Sequence, residues 1–187
     1  MDMYSTYKSV AKVMFPNATI IIDKYHYVRI VTWAFEKVRI EEQKKFSDYR
    51  RKYFKSSRKL LLKNSYNLND QEYWQVKQML SVSTKLARAY EIKQAFEEFM
   101  KCEDSLTAKR KLADFIMLAQ KYDVPEFKAA TKTFINWSHE ILNSFDYPYT
   151  NGYTEGCNNK IKVIKRVAYG MRNFHRFRSR ILHSMVN

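Results

Sequence analysis

Glycine and proline are scarce in this chain, and their scarcity narrows the folds that it can adopt. Each occurs only three times in 187 residues. An all-β fold needs many tight turns, which depend on glycine and proline, whereas long helices need neither. The composition therefore predicts a mainly α fold. An apolar share of 45%, with 14 Tyr and 12 Phe, supplies enough side chains for a sizeable core.

Apolar residues recur at helical spacing along most of the chain. Asn69 or Asp70 is a candidate N-cap, Pro125 suits the first turn of a helix, and Gly170 indicates a helix stop. The pattern predicts helices over 4–14, through a long stretch from about 25 to 63, over 71–80, 82–101, 105–122 and 126–145, and near 153–168 and 173–186.

One short segment departs from the helical pattern. Residues 19–23, TIIID, are largely β-branched and apolar and end in Asp23. This is typical of a strand that delivers a polar side chain at its carboxyl end. A lone strand has no partner and is not stable by itself. Either its sheet neighbours lie outside this chain, or the segment packs without forming a true sheet.

The charge of the chain is strongly positive. It carries 34 Lys and Arg against 19 Asp and Glu, a formal net charge of +15. A field of that sign favours a polyanion: DNA, RNA or an anionic membrane surface. Basic residues interleaved with Tyr and Phe at 44–63 and 160–180 fit nucleic acid. Because the sequence has neither a signal peptide nor a stretch of transmembrane length, we expect a cytoplasmic protein without a membrane partner.

Residues 151–166, NGYTEGCNNKIKVIKR, begin with a single acidic residue and continue into a basic helix. At helical spacing, positions 155, 159, 162 and 166 form a polar stripe, and positions 157, 161, 164 and 168 form an apolar one. Glu155 either complements the positive end of the helix dipole or binds a cation beside phosphates held by Lys162 and Arg166. The pattern leaves both roles open.

The other carboxylates that such a cation site requires lie near the N-terminus. Asp2 and Asp23 are the candidates, since the two metal ions of phosphodiester transfer need oxygen ligands that converge from distant parts of a chain. His26 follows Asp23 at helical spacing. Either Asp23 caps the long helix and His26 packs beneath it, or the two side chains line or brace a metal site.

Two strings of the sequence together resemble the ISL-three family of bacterial insertion-sequence transposases. The first is MDMYSTYKSVAKVMFPNATIIIDKYHYVR at the N-terminus, and the second is NGYTEGCNNKIKVIKRVAYGMRNFHRFRSRIL near the C-terminus. Between them, AYEIKQAF and INWSHEIL fit the family more loosely. The resemblance extends essentially from residue 1 to residue 187.

The resemblance implies a DDE transposase with an RNase H-like catalytic core, in which two Asp and one Glu bind Mg²⁺ or Mn²⁺ for DNA strand cleavage and joining. It assigns Asp2 and Glu155 to the catalytic, metal-binding carboxylates, and Asp23 and His26 to an accessory Asp-x-x-His motif. The DNA-binding residues that it implies are Asn159, Lys162, Arg166, Arg172 and Arg176.

The same resemblance implies a division of the chain. Residues 1–35 would be a piece of a truncated RNase H-like core with the one recognisable strand at 19–23, residues 36–145 a large helical insertion, and residues 146–187 the core helices that carry the Glu. The region that bears the first catalytic Asp in full family members is not in this sequence. We therefore expect a C-terminal fragment, catalytically incompetent by itself, from a bacterial cytoplasm and with transposon-end DNA as its partner.

Two other interpretations remain. A basic helical module could bind nucleic acid without any catalytic role, since it needs only the basic faces and the interleaved aromatic residues. A homo-oligomer could form if an exposed sheet edge paired with a second copy. Convergence of Asp2, Asp23 and Glu155 would separate the transposase interpretation from the basic module.

Overall fold

The computed structural model describes residues 1–56 and 58–186, and all regular structure in these residues is helical. The prediction of a mainly α fold is therefore confirmed. A 3-10 turn at Ser65–Asn67 lies between the fourth and fifth helices. The helices are α1 (Ser5–Met14), α2 (Lys24–Lys44), α3 (Asp48–Ser56), α4 (Arg58–Leu62), α5 (Asp70–Ser81), α6 (Thr84–Met100), α7 (Ser105–Tyr122), α8 (Pro125–Asn136), α9 (Ser138–Asp146), α10 (Gly152–Val167) and α11 (Phe174–Val186).

The chain divides into two compact units, Met1–Pro148 and Tyr149–Asn187. The boundary at 146 that the resemblance implied stays a prediction. Helix α2 continues through residues 35 and 36, so the separation of a core piece from a helical insertion stays a prediction. Within the described ranges, none of the helices combines the length and the apolarity needed to cross a membrane.

Side-chain caps set several of the helix ends. Asn69 is the N-cap of α5: its side chain accepts from the backbone N–H of Glu72, whose carboxylate accepts in return from the Asn69 N–H. The side chain of Asp104 caps α7 by accepting from the backbone N–H of Thr107. Pro125 occupies the first turn of α8, where its missing N–H is not needed.

Two predicted helices are each divided, and tertiary packing explains both breaks. In the stretch predicted as one helix from 25 to 63, the first helix ends at Lys44. The ring of Phe46 then packs against that of buried Phe54, with 4.9 Å between the ring centroids. This contact turns α3 back onto the end of α2. The helix predicted over 126–145 breaks at Trp137, whose backbone leaves the helical region and whose side chain is nine-tenths buried.

The core of the first unit is a cluster of aromatic side chains from four helices. Phe134 of α8 lies 5.2 Å from Phe115 of α7, 5.7 Å from Phe96 of α6 and 5.9 Å from Tyr27 of α2, measured between ring centroids. These distances and the tilted or edge-to-face angles are those that aromatic pairs prefer. Helix α2 therefore runs beside α6 and α8, and its first turn is anchored in the core.

The predicted strand at 19–23 is wrong for the described residues, where the segment is extended but has no strand beside it. Its backbone groups are satisfied by other partners: the amino group of Met1 donates to Ile21 O at 2.7 Å, the Asn143 amide donates to Ile20 O at 2.8 Å, and Ile22 N donates to Glu140 O at 3.1 Å. The apolar composition reflects burial of Ile22 against helices rather than sheet pairing.

This correction bears on two expectations. Of the alternatives for residues 19–23, packing without a true sheet is the one observed, so an RNase H-like core stays a prediction. The homo-oligomer hypothesis also needed an exposed sheet edge, and the described part of the chain contains none.

Candidate nucleic-acid interface and carboxylate residues

Helix α10 separates its apolar and polar side chains as its sequence predicts. The apolar stripe faces inward: Ile164 is buried, and Cys157, Ile161 and Ala168 are half-buried. All four members of the polar stripe are exposed: Glu155, Asn159, Lys162 and Arg166. Because Glu155 lies in the first turn of α10, it can complement the helix dipole and still present its carboxylate to solvent.

A tight turn connects α10 to α11. Tyr169 and Gly170 both have positive φ, 45° and 81°, and the second value is one that glycine tolerates best. Asn173 then caps α11, because its side chain accepts from the backbone N–H of Arg176 at 3.0 Å. The two helices pack against each other, with Phe177 and Ile181 half-buried on α11.

Among the described residues, the cations of the second unit have no carboxylate partners. Residues 149–187 contain eight Lys and Arg but only one acidic residue, Glu155. None of the eight is in an ion pair within the described ranges, and three of them, Lys162, Lys165 and Arg166, line a shallow depression. The first unit differs, since many of its cations are paired with Asp or Glu: Lys8, Arg39, Lys45, Arg58, Lys63, Lys85, Lys93, Lys101 and Lys128.

Exposed aromatic rings accompany these cations. Tyr153 is 86% exposed, Tyr169 93% and Phe174 69%. Free cations gain counterion-release free energy by contacting nucleic-acid phosphates, and exposed rings offer surfaces on which bases can stack. The surface formed by α10 and α11 therefore has the chemistry of a nucleic-acid interface, and we refer to the described residues of 149–187 as the basic hairpin.

The acidic residues near the N-terminus occupy a different place. The Asp23 side chain accepts from the backbone N–H of Tyr25 at 2.9 Å and so caps α2. The ring of His26 is mostly buried, and its Nε2 lies 2.7 Å from Asp2 Oδ1 without the angle of a hydrogen bond. The capping alternative for Asp23 is thus confirmed. His26 holds Asp2, whose side chain is 58% exposed, beside the first turn of α2.

These residues do not by themselves make a metal site. Asp2, Asp23 and His26 belong to the first unit, and Glu155 belongs to the second. In the described ranges, no three His, Cys, Asp or Glu side chains gather as ligands for one ion. Carboxylates are the donors that Mg²⁺ prefers, but an incomplete set does not fit a resident metal. Convergence of Asp2, Asp23 and Glu155 therefore stays a prediction.

One cationic group on α2 was not predicted from the sequence. The guanidinium of Arg29 lies over the rings of both Tyr25 and Trp33. The sequence does contain a pattern that indicates this contact. Positions i, i+4 and i+8 share one helical face, and here they hold an aromatic residue, an Arg and a second aromatic residue. The apolar residues of α2 give the stronger pattern on that helix and obscure it.

Comparison with known proteins identifies the class to which this fold and this basic surface belong. The model of a family described as transposase, the ISL-three group of DDE transposases, matches residues 1–181. The chain therefore belongs to the ISL-three transposase family, as its two terminal strings indicated.

Two curated relatives are similar over part of their length. The transposase for insertion sequence element IS1001 of Bordetella parapertussis is 27% identical over 176 residues, which cover 92% of this chain and 43% of the relative. A protein named ATP-dependent protease from Lactococcus lactis subsp. lactis is 35% identical over 107 residues, 57% of this chain and 33% of the relative. The chain thus spans less than half the length of each. No solved structure matches.

The sequence of this chain has no phosphate-binding loop of the kind that binds ATP. A phosphate-binding loop for ATP has the pattern Gly, four residues, Gly-Lys, and Ser or Thr. The three glycines here, at 152, 156 and 170, lie at other spacings, and none is followed by Lys. The transposase family, which matches nearly the whole chain, is the comparison that carries weight.

Proposed function

We propose that this chain supplies DNA-binding helices and two of the catalytic carboxylates of a DDE transposase whose full-length parent cleaves and joins DNA strands at transposon ends with Mg²⁺ or Mn²⁺. The observation that carries the proposal is the exposed stripe of α10, where Glu155 is followed on one face by Asn159, Lys162 and Arg166. Family membership over residues 1–181 supports it.

Four cations of the basic hairpin have a proposed role in binding DNA. With a rise of about 1.5 Å per residue, Lys162 lies about 10 Å along α10 from Glu155, and Arg166 about 6 Å further. Both can therefore contact neighbouring phosphates of a strand that passes the carboxylate. Arg172 and Arg176 flank the Asn173 cap of α11, where backbone N–H groups also favour a phosphate.

In the parent, Asp2 and Glu155 are the proposed metal ligands. Both carboxylates are exposed, and His26 positions Asp2. Divalent metal bound by such carboxylates would polarise the scissile phosphate and activate the attacking oxygen. The proposed accessory role of Asp23 and His26 is positioning: Asp23 fixes the start of α2, and His26 on that first turn holds Asp2.

The DNA contact is tested by the salt dependence of binding. We compare the chain with a Lys162→Gln/Arg166→Gln double variant, using a Lys109→Gln/Lys121→Gln variant as the control. Lys109 and Lys121 are exposed cations of α7, so the same charge is removed elsewhere. The slope of log K against log salt should fall by about two for the α10 variant and hardly change for the control. Equal slopes in the two variants would refute the interface.

The catalytic part is tested with a supercoiled plasmid. Asp2 and Glu155 are only two of the three carboxylates that the proposed reaction requires, so the isolated chain should neither nick nor join DNA in Mg²⁺ or Mn²⁺. Metal-dependent nicking that Glu155→Gln abolishes would contradict this expectation. In the full-length parent, the same substitution should abolish transposition and leave DNA binding intact, whereas a non-catalytic basic module predicts no effect on either.

A further inference from the structure

Arg29 is held between two aromatic rings on the surface of α2. Its guanidinium carbon lies 5.3 Å from the ring centroid of Tyr25 and 4.8 Å from that of Trp33. Tyr25 is one turn earlier on the helix and Trp33 one turn later, so the guanidinium has a ring toward each end of the helix. Such contacts are attractive and restrict the rotamers of the long side chain. We call these three residues the Arg29 cluster.

The Arg29 cluster has no anionic partner within the described ranges. No carboxylate forms an ion pair with Arg29, although Arg39 and Arg58 both pair with Glu36 on the same unit. The Nε of Arg29 is shielded from solvent and has no hydrogen-bond acceptor among the described atoms. Because the Nε is not accessible, an acceptor from outside the chain can reach only the terminal nitrogens of the guanidinium.

The rings of the Arg29 cluster are themselves open to solvent. Tyr25 is 61% exposed and Trp33 57%. Each therefore has ring surface available to a flat ligand. A planar cation that can donate two hydrogen bonds, flanked by exposed aromatic rings, matches a phosphate with an unstacked base next to it.

We propose that the Arg29 cluster binds single-stranded or locally unpaired DNA, with a phosphate on the Arg29 guanidinium and an adjacent base stacked on Trp33. The proposal rests on the proposed function, since it assigns DNA to this chain, and it deepens that function by adding a contact that duplex DNA does not satisfy. In a duplex the bases are already stacked on each other, so only the phosphate contact is available.

The site also lies next to the residues proposed to act on DNA. Arg29 follows His26 by about one turn of the same helix, and His26 contacts Asp2. A strand held by Arg29 therefore passes close to the Asp2 carboxylate, on the same unit of the chain. A contact specific for single strands would therefore act on DNA that is unpaired near that carboxylate.

The test compares a short oligothymidylate with a duplex of the same length. Arg29→Gln should weaken binding of the single strand roughly tenfold, the scale of one lost charge-assisted or stacking contact. Trp33→Leu should weaken the single strand by a similar factor and leave the duplex unchanged. Arg29→Lys keeps the charge but loses the planar donor pair, so it should recover only part of the affinity. Lys109→Gln is the control for charge alone.

The outcomes separate this inference from the proposed function. If the unaltered chain binds neither DNA, the proposed function fails. If it binds both and Arg29→Gln matches Lys109→Gln, the proposed function stands and the Arg29 cluster is refuted. Inorganic phosphate that displaces the oligothymidylate at equal concentration would show a simple phosphate site and overturn the base contact. Trp33→Phe keeps a ring and should retain single-strand affinity. For every variant, a lowered thermal midpoint would identify a loss of affinity that comes from misfolding.

Discussion

Tyr27 illustrates how a single side chain links two helices of the first unit. Its hydroxyl lies 2.9 Å from Ser144 Oγ, and Ser144 in turn donates to Ile141 O at 2.7 Å. Since the Ser144 proton is used in that second bond, Tyr27 must be the donor in the first. The pair joins α2 to α9 inside the core. Burial raises the pKa of Tyr27 to about 12 from its ordinary value of 10.0.

The raised pKa of Tyr27 predicts a loss of stability in alkaline solution. Between pH 10 and about 12 the unfolded chain releases the Tyr27 proton while the folded chain keeps it, so the free energy of unfolding falls as the pH rises. The full effect is about 2 to 3 kcal/mol. In urea unfolding, the free energy of unfolding should decline less over this pH range for Tyr27→Phe than for the unaltered protein. At pH 8 the same variant should be less stable by about 1 kcal/mol, because it lacks the hydrogen bond.

A matched control for this measurement is Tyr49→Phe, because the Tyr49 side chain is 86% exposed. That variant should follow the unaltered protein at every pH. If Tyr27→Phe ran parallel to the unaltered protein between pH 10 and 12, the alkaline decline would belong to other groups.

Residue-level contacts were also the hardest to predict from sequence. The capping role of Asp23 and the solvent-facing position of Glu155 follow from local helical pattern, and both are observed. The contact of His26 with Asp2 depends on where residues 1–23 pass over the helices, which no periodicity encodes. The Arg29 cluster was local and still missed, because a single Arg between aromatic residues is common on helix surfaces.

At the scale of elements, the limits of the undivided helices were predicted best. The predicted limits of α5 and α7 agree closely with the observed ones, since Asn69 and Asp104 satisfy the first backbone N–H groups of their helices. Residues 19–23 were wrongly assigned because a short apolar run looks the same whether it pairs in a sheet or packs on helices. The break at Trp137 carries no glycine or proline and arises from tertiary packing.

The amphipathic sequence pattern of helix α1 does not correspond to burial of its apolar side chains. Its sequence is amphipathic, yet none of its residues is buried, and Tyr7, Val10 and Met14 are all more than half exposed. Its tie to the core is polar: the Lys8 ammonium lies 2.5 Å from the carboxylate of buried Glu140 and 4.7 Å from the Trp137 ring centroid. A buried carboxylate that loses its cation is costly, so this pair contributes to holding α1 in place.

Replacing glycine by alanine should have opposite effects at two positions of the basic hairpin: Gly170, in the turn between α10 and α11, and Gly156, inside α10. At Gly170, with φ of 81°, Ala should destabilise the basic hairpin by about 1–2 kcal/mol, because L residues strain in this region. At Gly156, inside α10, Ala should stabilise it by about 0.5–1 kcal/mol. An added Cβ meets no atom within 4 Å at either position, so backbone conformation alone decides.

Native-state hydrogen exchange of the α10 amides measures this difference. Exchange should accelerate about 5- to 30-fold in Gly170→Ala and slow down in Gly156→Ala. Asn in place of Gly170 is the conservative comparison, since Asn tolerates positive φ better than Ala. Faster exchange in both Ala variants would mean that the turn conformation is not what limits the stability of the hairpin.

At the scale of the whole molecule, hydrophobic residues and free charge are divided unequally between the two units. Apart from Ile164, every buried hydrophobic residue of the described ranges lies in the first unit. The second unit has eight of the 34 Lys and Arg but one of the 19 Asp and Glu. The sequence predicted a nucleic-acid partner and a basic C-terminal segment, but only the fold shows that, within the described ranges, the cations of that segment form no ion pairs.

This division predicts different folding behaviour for the two units. A chain of residues 1–148 contains the complete aromatic core and should unfold cooperatively in urea by itself. A peptide of residues 149–187 has two short helices, one buried side chain and a strong excess of positive charge, so it should show little helix in water. Far-UV circular dichroism measures both.

Adding DNA to the peptide of residues 149–187 provides the decisive comparison. Phosphates neutralise the repulsion among its cations, so duplex DNA should raise its helical signal, and the gain should disappear as salt is increased. Replacing Lys162 and Arg166 by Gln should reduce the gain, since both lie on the exposed stripe of α10. A peptide that is already fully helical without DNA, or a chain of residues 1–148 that fails to fold, would show that the hydrophobic core does not determine the stability of each unit.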